Sequence, residues 1–333
     1  MVLRSANARR AASGSPPQPP PKQETVLAKG ITMWGASATG KTSFLAALYT
    51  ALIAEQNGWR LRGEDTQSIR ALVTLTNTLV SKGSFPKATE KLNDYRWSLV
   101  NRRAGTDWRW YGPRRRSVDV VIPMPVVDIA GEVADADQPQ GPQVTDQFVK
   151  NMANSTGIVF FYDPIREYER GDAFQHTFGV LAELDGQMKP NGRLPHYVAV
   201  CITKFDEQRM LTAAELMGLT DYDMDPPYFP RVREKDAREF FSRICSVSKT
   251  RNAYRVLPLL EETFEPTRIR YFVTSAIGFY VDRSTGTFNP QDYQQHIPQT
   301  TLTEKSRIRG DVRPINVVEP ITWLGTQLTR AVG

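Results

Sequence analysis

Residues Gly35 to Thr42 read GASATGKT, two glycines five positions apart followed by a lysine and a hydroxyl. Glycines let a tight loop aim consecutive backbone N–H groups at one point, and a helix starting there adds its positive end, so the stretch is built to hold phosphate groups. Ala36, Ser37, Ala38, Thr39 and Ser43 would lend further N–H groups. Lys41 would reach the β and γ phosphates, and the Thr42 hydroxyl is a hard oxygen ligand suited to Mg²⁺. Downstream, VVDIAGE supplies Asp128, a strand-ending carboxylate that could hold the metal through water. Gly131 follows, with a backbone N–H that no side chain shields from a terminal phosphate. A strand-ending aspartate is also a common turn or cap residue, so Asp128 gains weight only from its spacing to Gly131 and its place after the loop. In TKFD, Asp206 can accept from the N1–H and exocyclic amine of guanine, whereas adenine would face it with an acceptor. Lys204 can lie along the base plane and Thr203 offers a hydroxyl. In TSAIG, after the next strand, Ser275 precedes Ala276, whose N–H could meet the guanine carbonyl.

Strand ends must position all of these groups. GITMW reads as the strand before the loop, and KTSFLAALYTALIAEQ as the helix after it, with Phe44, Leu45, Leu48 and Leu52 on one stripe. DTQSIRALVTLTNTLVSKG is a second helix with Ile69, Leu72, Val73, Thr76, Leu79 and Val80 at helical spacing. DYRWSLVNR and RSVDVVIPMPVVDIAG are strands, with a bulge or edge position expected at Pro123 and Pro125. GIVFFYDP and HYVAVCITKFD are short apolar runs, as in strands buried on both faces. Helices are expected from Ala173 to Met188 and Glu234 to Ser248, then the strand RIRYFVTSAIG and a surface loop from Ser284 to Arg313. EPITWLGTQLTRAV starts with proline near a helix N-terminus and points Ile321, Leu324 and Leu328 inward. Alternating strands and helices argue for an α/β fold with a largely parallel sheet.

With GASATGKT, DIAGE, TKFD and TSA in this order at strand ends from Gly35 to Ala276, the chain resembles the Ras-like P-loop GTPases. The resemblance implies a P-loop NTPase fold: a mixed, mostly parallel sheet of about six strands with helices on both faces and helical insertions. It implies a G domain over residues 30–333 with insertions near 54–88, 207–265 and 284–313. It also implies Mg²⁺-dependent binding of GTP, and hydrolysis to GDP that toggles two mobile segments and so controls a protein partner. The family places a threonine of the first segment in the Mg²⁺ shell. Thr89 of FPKATEKLNDYRW fits by position, while Thr66, Thr74, Thr76 and Thr78 sit in a helical pattern. Lys41, Thr89, Gly131 and Glu132 are then the candidate catalytic residues, and Thr42, Thr89 and Asp128 the metal set. The insertions and the ending VVEPITWLG look more like the large bacterial GTPases of conflict and signalling systems.

Departures from the family pattern bear on turnover. Glu132 stands where a glutamine usually orients water; its charge repels the γ-phosphate and it cannot donate as an amide does, so unaided hydrolysis is expected to be slow. Ser37 replaces a frequent glycine and crowds the route of a partner arginine. Thr203 replaces the commoner asparagine. The alternatives are a nucleotide-binding interaction module with negligible turnover, and an ATP-dependent enzyme.

Composition fits a globular protein: 40% hydrophobic and 23% charged residues. No apolar run is long enough to span a membrane. The two cysteines, Cys201 and Cys245, suggest neither a disulfide framework nor a metal site and favour the cytoplasm. The net charge of +6 is concentrated. Residues 1–29, a Pro-rich stretch read as a disordered leader or, less favoured, a transit peptide, carry +4; RRAGTDWRWYGPRRR at 102–116 carries +5, leaving −3 elsewhere. That hairpin is read first as a solvated turn and next as a protein contact; nucleic acid or anionic membrane is not favoured. His176, His196 and His296 lack metal spacing.

Overall fold

The computed structural model describes residues 24–86, 95–109, 112–125, 146–189, 191–248, 252–299 and 306–330. Strand β1 (Glu24–Leu27) precedes β2 (Ile31–Gly35), every residue of which is buried, as an uninterrupted apolar run requires. Helix α1 (Lys41–Glu55) buries Phe44, Leu45, Leu48 and Leu52, the stripe expected from spacing. Next come β3 (Trp59–Gly63) and α2 (Thr66–Thr76), the latter capped by Asp65, whose carboxylate accepts from Ser68 N at 2.7 Å. Strands β4 (Trp97–Arg109) and β5 (Gly112–Met124) follow, then α3 (Asp146–Asn154) and β6 (Gly157–Tyr162). After α4 (Pro164–Arg170) and α5 (Ala173–Met188) comes β7 (Tyr197–Ile202). The remaining elements are α6 (Gln208–Leu216), β8 (Thr220–Tyr222), β9 (Pro230–Val232), α7 (Glu234–Ser246), α8 (Val256–Thr263), β10 (Ile269–Val273), β11 (His296–Ile297), β12 (Arg307–Ile308) and α9 (Glu319–Arg330).

A parallel four-stranded sheet has the order β10-β7-β6-β2. Its strands end at Gly35, Tyr162, Ile202 and Val273, so the residues that follow them emerge along one edge, where ligands of open α/β sheets bind. Helices cover both faces. Ile158, Phe160 and Tyr162 of β6 join a core with Phe148 of α3, Leu184 of α5 and Phe241 of α7. Val159 and Phe161 point the other way, into a core with Phe44 of α1 and Leu324 of α9.

A second four-stranded sheet has the order β1-β5-β4-β3. The sheet of about six strands expected from the resemblance is thus described as two sheets of four. They meet where the β1–β2 path follows β5: Ala28 N donates to Val121 O at 3.0 Å and Met33 N to Pro125 O at 3.4 Å. Residues 28–30 interrupt that path beside Pro123, which has no N–H to give a ladder. β4 and β5 pair out to Arg109↔Gly112, but β3 and β1 accompany only their inner parts, so the basic stretch forms a two-stranded arm.

Four readings of the chain are corrected here. Residues 24–27, the end of the supposed leader, include a strand pairing with β5; residues 1–23 lie outside the described residues. The buried face of α2 carries Ser68, Leu72 and Leu75, with Leu79 in the π turn that follows, while Ile69, Val73 and Val80 are exposed. Ser68 is drawn inward because its hydroxyl accepts from Arg96 N and its carbonyl from Trp97 Nε1. β3 lies between the two expected helices, where no strand was expected, and the 284–313 loop contains β11 and β12.

Candidate functional site

The loop between β2 and α1 takes its shape from close approach and positive φ. A Cβ on Gly35 would lie 2.8 Å from Phe161 O, and Gly40 adopts φ +92° as the N-cap of α1. Ala38, a non-glycine residue, also sits at φ +60°. The Thr39 hydroxyl donates to Ala36 O at 2.8 Å. Lys41 is buried, and its Nζ donates to Gly35 O and Ala36 O, each at 2.8 Å, so the ammonium folds over the loop. The first helical bond of α1 runs from Phe44 N to Gly40 O at 2.8 Å, and no side chain caps the helix. Lys41, Thr42 and Ser43, in the first turn of α1, line the cavity described below.

Across the sheet edge, Asp206 is buried after β7 and accepts a hydrogen bond from the Ser275 hydroxyl after β10. Ser275 Oγ also accepts from Gly278 N at 2.8 Å, which fixes the turn carrying Ala276. Burial pushes the Asp206 carboxyl up to about 6; the Ser275 bond opposes that rise, and nearby Glu207 adds to it. Lys204 has φ +60° and its ammonium pairs with Asp163 at 2.6 Å. The hydroxyl of Thr203 donates to Tyr162 O at 3.1 Å, tying its strand end to β6.

Ala38, Thr39, Gly40, Lys41, Thr42 and Ser43 line the same cavity as Thr203, Lys204, Asp206 and Ala276; its volume is about 370 Å³. This is within the range of small-ligand and cofactor sites. Gly35, Ala36, Ser37 and Ser275 stand behind this lining and shape it. Thr89, Asp128, Gly131 and Glu132 lie outside the described residues. Among the described residues no cluster of His, Cys, Asp and Glu could hold a metal ion, and no helix is long and apolar enough to cross a membrane. Both cysteines are buried thiols.

The cavity also has walls that the sequence reading missed. Phe85 and Pro86 line it ahead of the segment containing Thr89, and His296 and Ser306 line it from the 284–313 stretch. The His296 ring is 5.2 Å from that of Phe85, edge to face, and its Nδ1 is 3.2 Å from Glu207 Oε1. The hydrogen bond with His296 holds the Glu207 carboxyl below its usual value, against its burial. The stretch reaches the cavity because β12 pairs with β11 and Ile308 N donates to Gly83 O at 2.7 Å.

No family model matches the chain, and no curated protein matches it. A solved structure of sup35 complexed with GDP is similar at 14% identity and a TM-score of 0.30. The match covers 79% of this chain and 41% of that one, so the chain spans less than half the length of this neighbour. At that TM-score the likeness decides neither fold nor function.

Proposed function

We propose that this chain binds GTP and GDP and hydrolyses GTP slowly, as a regulatory GTPase of the Ras-like P-loop class whose nucleotide state controls a protein partner. The observation that carries the reading is a single cavity with the glycine–lysine loop at one end and buried Asp206, held by Ser275, at the other. The loop N–H groups and Lys41 bind phosphates; Asp206 accepts from guanine N1–H and the exocyclic amine; Ala276 N–H meets the guanine carbonyl. The two described sheets then act as one, in the order β10-β7-β6-β2-β5-β4-β3 with β1 on the same edge of β5 as β2, joined by the Met33–Pro125 hydrogen bond. The domain comprises residues 30–333 with β1 ahead of it.

A hydroxyl among phosphate oxygens and water suits Mg²⁺, which needs no cage of carboxylates, so Thr42 at the cavity fits. Thr42, Thr89 and Asp128 would hold the ion, which neutralises charge on the β and γ phosphates when bound. Glu132 is assigned to the water and Gly131 to the γ-phosphate. Single-turnover phosphate release by the isolated protein is expected well below 1 per second; a rate on the order of 1 per second or more contradicts slow unaided hydrolysis.

A further inference from the structure

The turn between β6 and α4 contacts the loop behind one end of the cavity and Lys204 at the other. Asp163 caps α4, its Oδ1 accepting from Ile165 N at 3.0 Å and Arg166 N at 3.1 Å, while its Oδ2 pairs with Lys204 Nζ at 2.6 Å. Arg166 reaches the other way. Its Nη1 donates to the carbonyl of Ser37 at 3.2 Å, in the middle of the phosphate loop. Its Nη2 donates to Asp172 Oδ2 at 2.6 Å and lies 3.5 Å from His176 Nε2. The Arg166 side chain is only 8% exposed. Holding a guanidinium there carries a desolvation penalty, and replacing the whole Arg166–Asp172 pair by well-packed apolar residues would often be no less stable. The charge therefore needs a purpose beyond packing.

The geometry of the Ser37–Ala38 peptide supplies one. A planar trans peptide points its C=O and N–H in opposite directions. With Ser37 O held by Arg166 behind the loop, the N–H of Ala38 turns toward the cavity that Ala38 lines. Ala38 sits at φ +60°, a region unfavourable for a non-glycine residue, so the peptide needs an outside tether.

We propose that Arg166 is a positioning residue that fixes the phosphate loop from behind, and that Asp163 ties the same turn to Lys204, so that one rigid frame holds the phosphate and base ends. The proposal rests on the nucleotide-binding reading above. The ligand it serves is the phosphate chain of a nucleoside di- or triphosphate, not the base.

The test uses the full-length protein with R166M and R166K. In R166M, the Kd for GDP and GTP is expected to rise about tenfold while guanosine binding is unchanged. Without nucleotide, amide hydrogen exchange over residues 37–40 should quicken, and R166K should restore part of both effects. Equal weakening of guanosine and GDP, or unchanged loop exchange, overturns the proposal. If wild type binds no guanine nucleotide, the functional reading fails, while loop exchange still decides the role of Arg166. Should R166M not fold, D172N keeps the arginine but weakens the ion that aims it. Loop exchange should again rise, and unchanged exchange refutes the tether.

Discussion

Replacing Asp206 by asparagine changes the cavity's base end by one group and should raise stability while removing function. The carboxyl is buried and carries a value of about 6 against an ordinary 3.8, chiefly through burial. Its folded value lies above its unfolded one, so its contribution is fully favourable only below about pH 4 and is lost as pH rises through about 6. At neutral pH the ionised form costs the unliganded protein about 3 kcal/mol. Asparagine has no charge to desolvate and can still accept from the Ser275 hydroxyl, so D206N should be more stable at pH 7 by up to that amount, with the advantage gone near pH 4. The same change turns an acceptor toward guanine into a donor. Two charge-assisted hydrogen bonds worth about 1.5–3 kcal/mol each would be lost, raising the Kd for GDP by roughly 10²–10⁴-fold. Xanthine, with a carbonyl in place of the exocyclic amine, should bind the variant better than guanine does. Denaturant unfolding at pH 4 and pH 7 reads the first effect, and calorimetric titration with GDP and xanthosine diphosphate reads the second. A D206N protein that keeps wild-type GDP affinity, or that is less stable than wild type at pH 7, refutes this account of Asp206.

Three further outcomes are expected. Guanine favours ionised Asp206, so GDP affinity should fall about tenfold from pH 7 to pH 5, and D206N should lose this dependence; Glu207 and His296, which face the group, shift the midpoint in opposite senses. H296A should speed GDP dissociation roughly five- to tenfold in a stopped-flow chase, since its ring and Phe85 form an aromatic wall of the cavity. In G325A, a Cβ would fall 2.4 Å from the Trp59 ring where α9 packs on β3, so equilibrium unfolding should show a loss of about 1–3 kcal/mol.

That the glycine–lysine loop, Asp206 and Ser275 come together at one sheet edge was legible because each stands at the end of an apolar run bounded by turn residues, and a parallel sheet gathers such ends on one edge. β3 carried its signal openly: Trp59 and Leu61 alternate with exposed Arg60 and Arg62, a period of two that was passed over between the two expected helices. The face of α2 was misread because apolar spacing cannot show that Ser68 is pulled inward by β4, or that the helix ends in a π turn. His296 and Ser306 were beyond reach. Strands of two residues leave no periodicity, and their place at the cavity depends on pairing with Gly83 and Ser84, more than 200 positions earlier. Arg166 was hidden for a similar reason. Asp163 and Pro164 announce a helix start, but nothing local says that the arginine behind them meets Ser37.

Competitive titration of the full-length protein with GTP and ATP in the presence of Mg²⁺ tests the central claim most directly. A cavity that reads guanine through Asp206 should bind GTP at least about a hundredfold more tightly than ATP, since adenine leaves the carboxylate facing an acceptor. Equal affinity for the two nucleotides, or tighter binding of ATP, would contradict it.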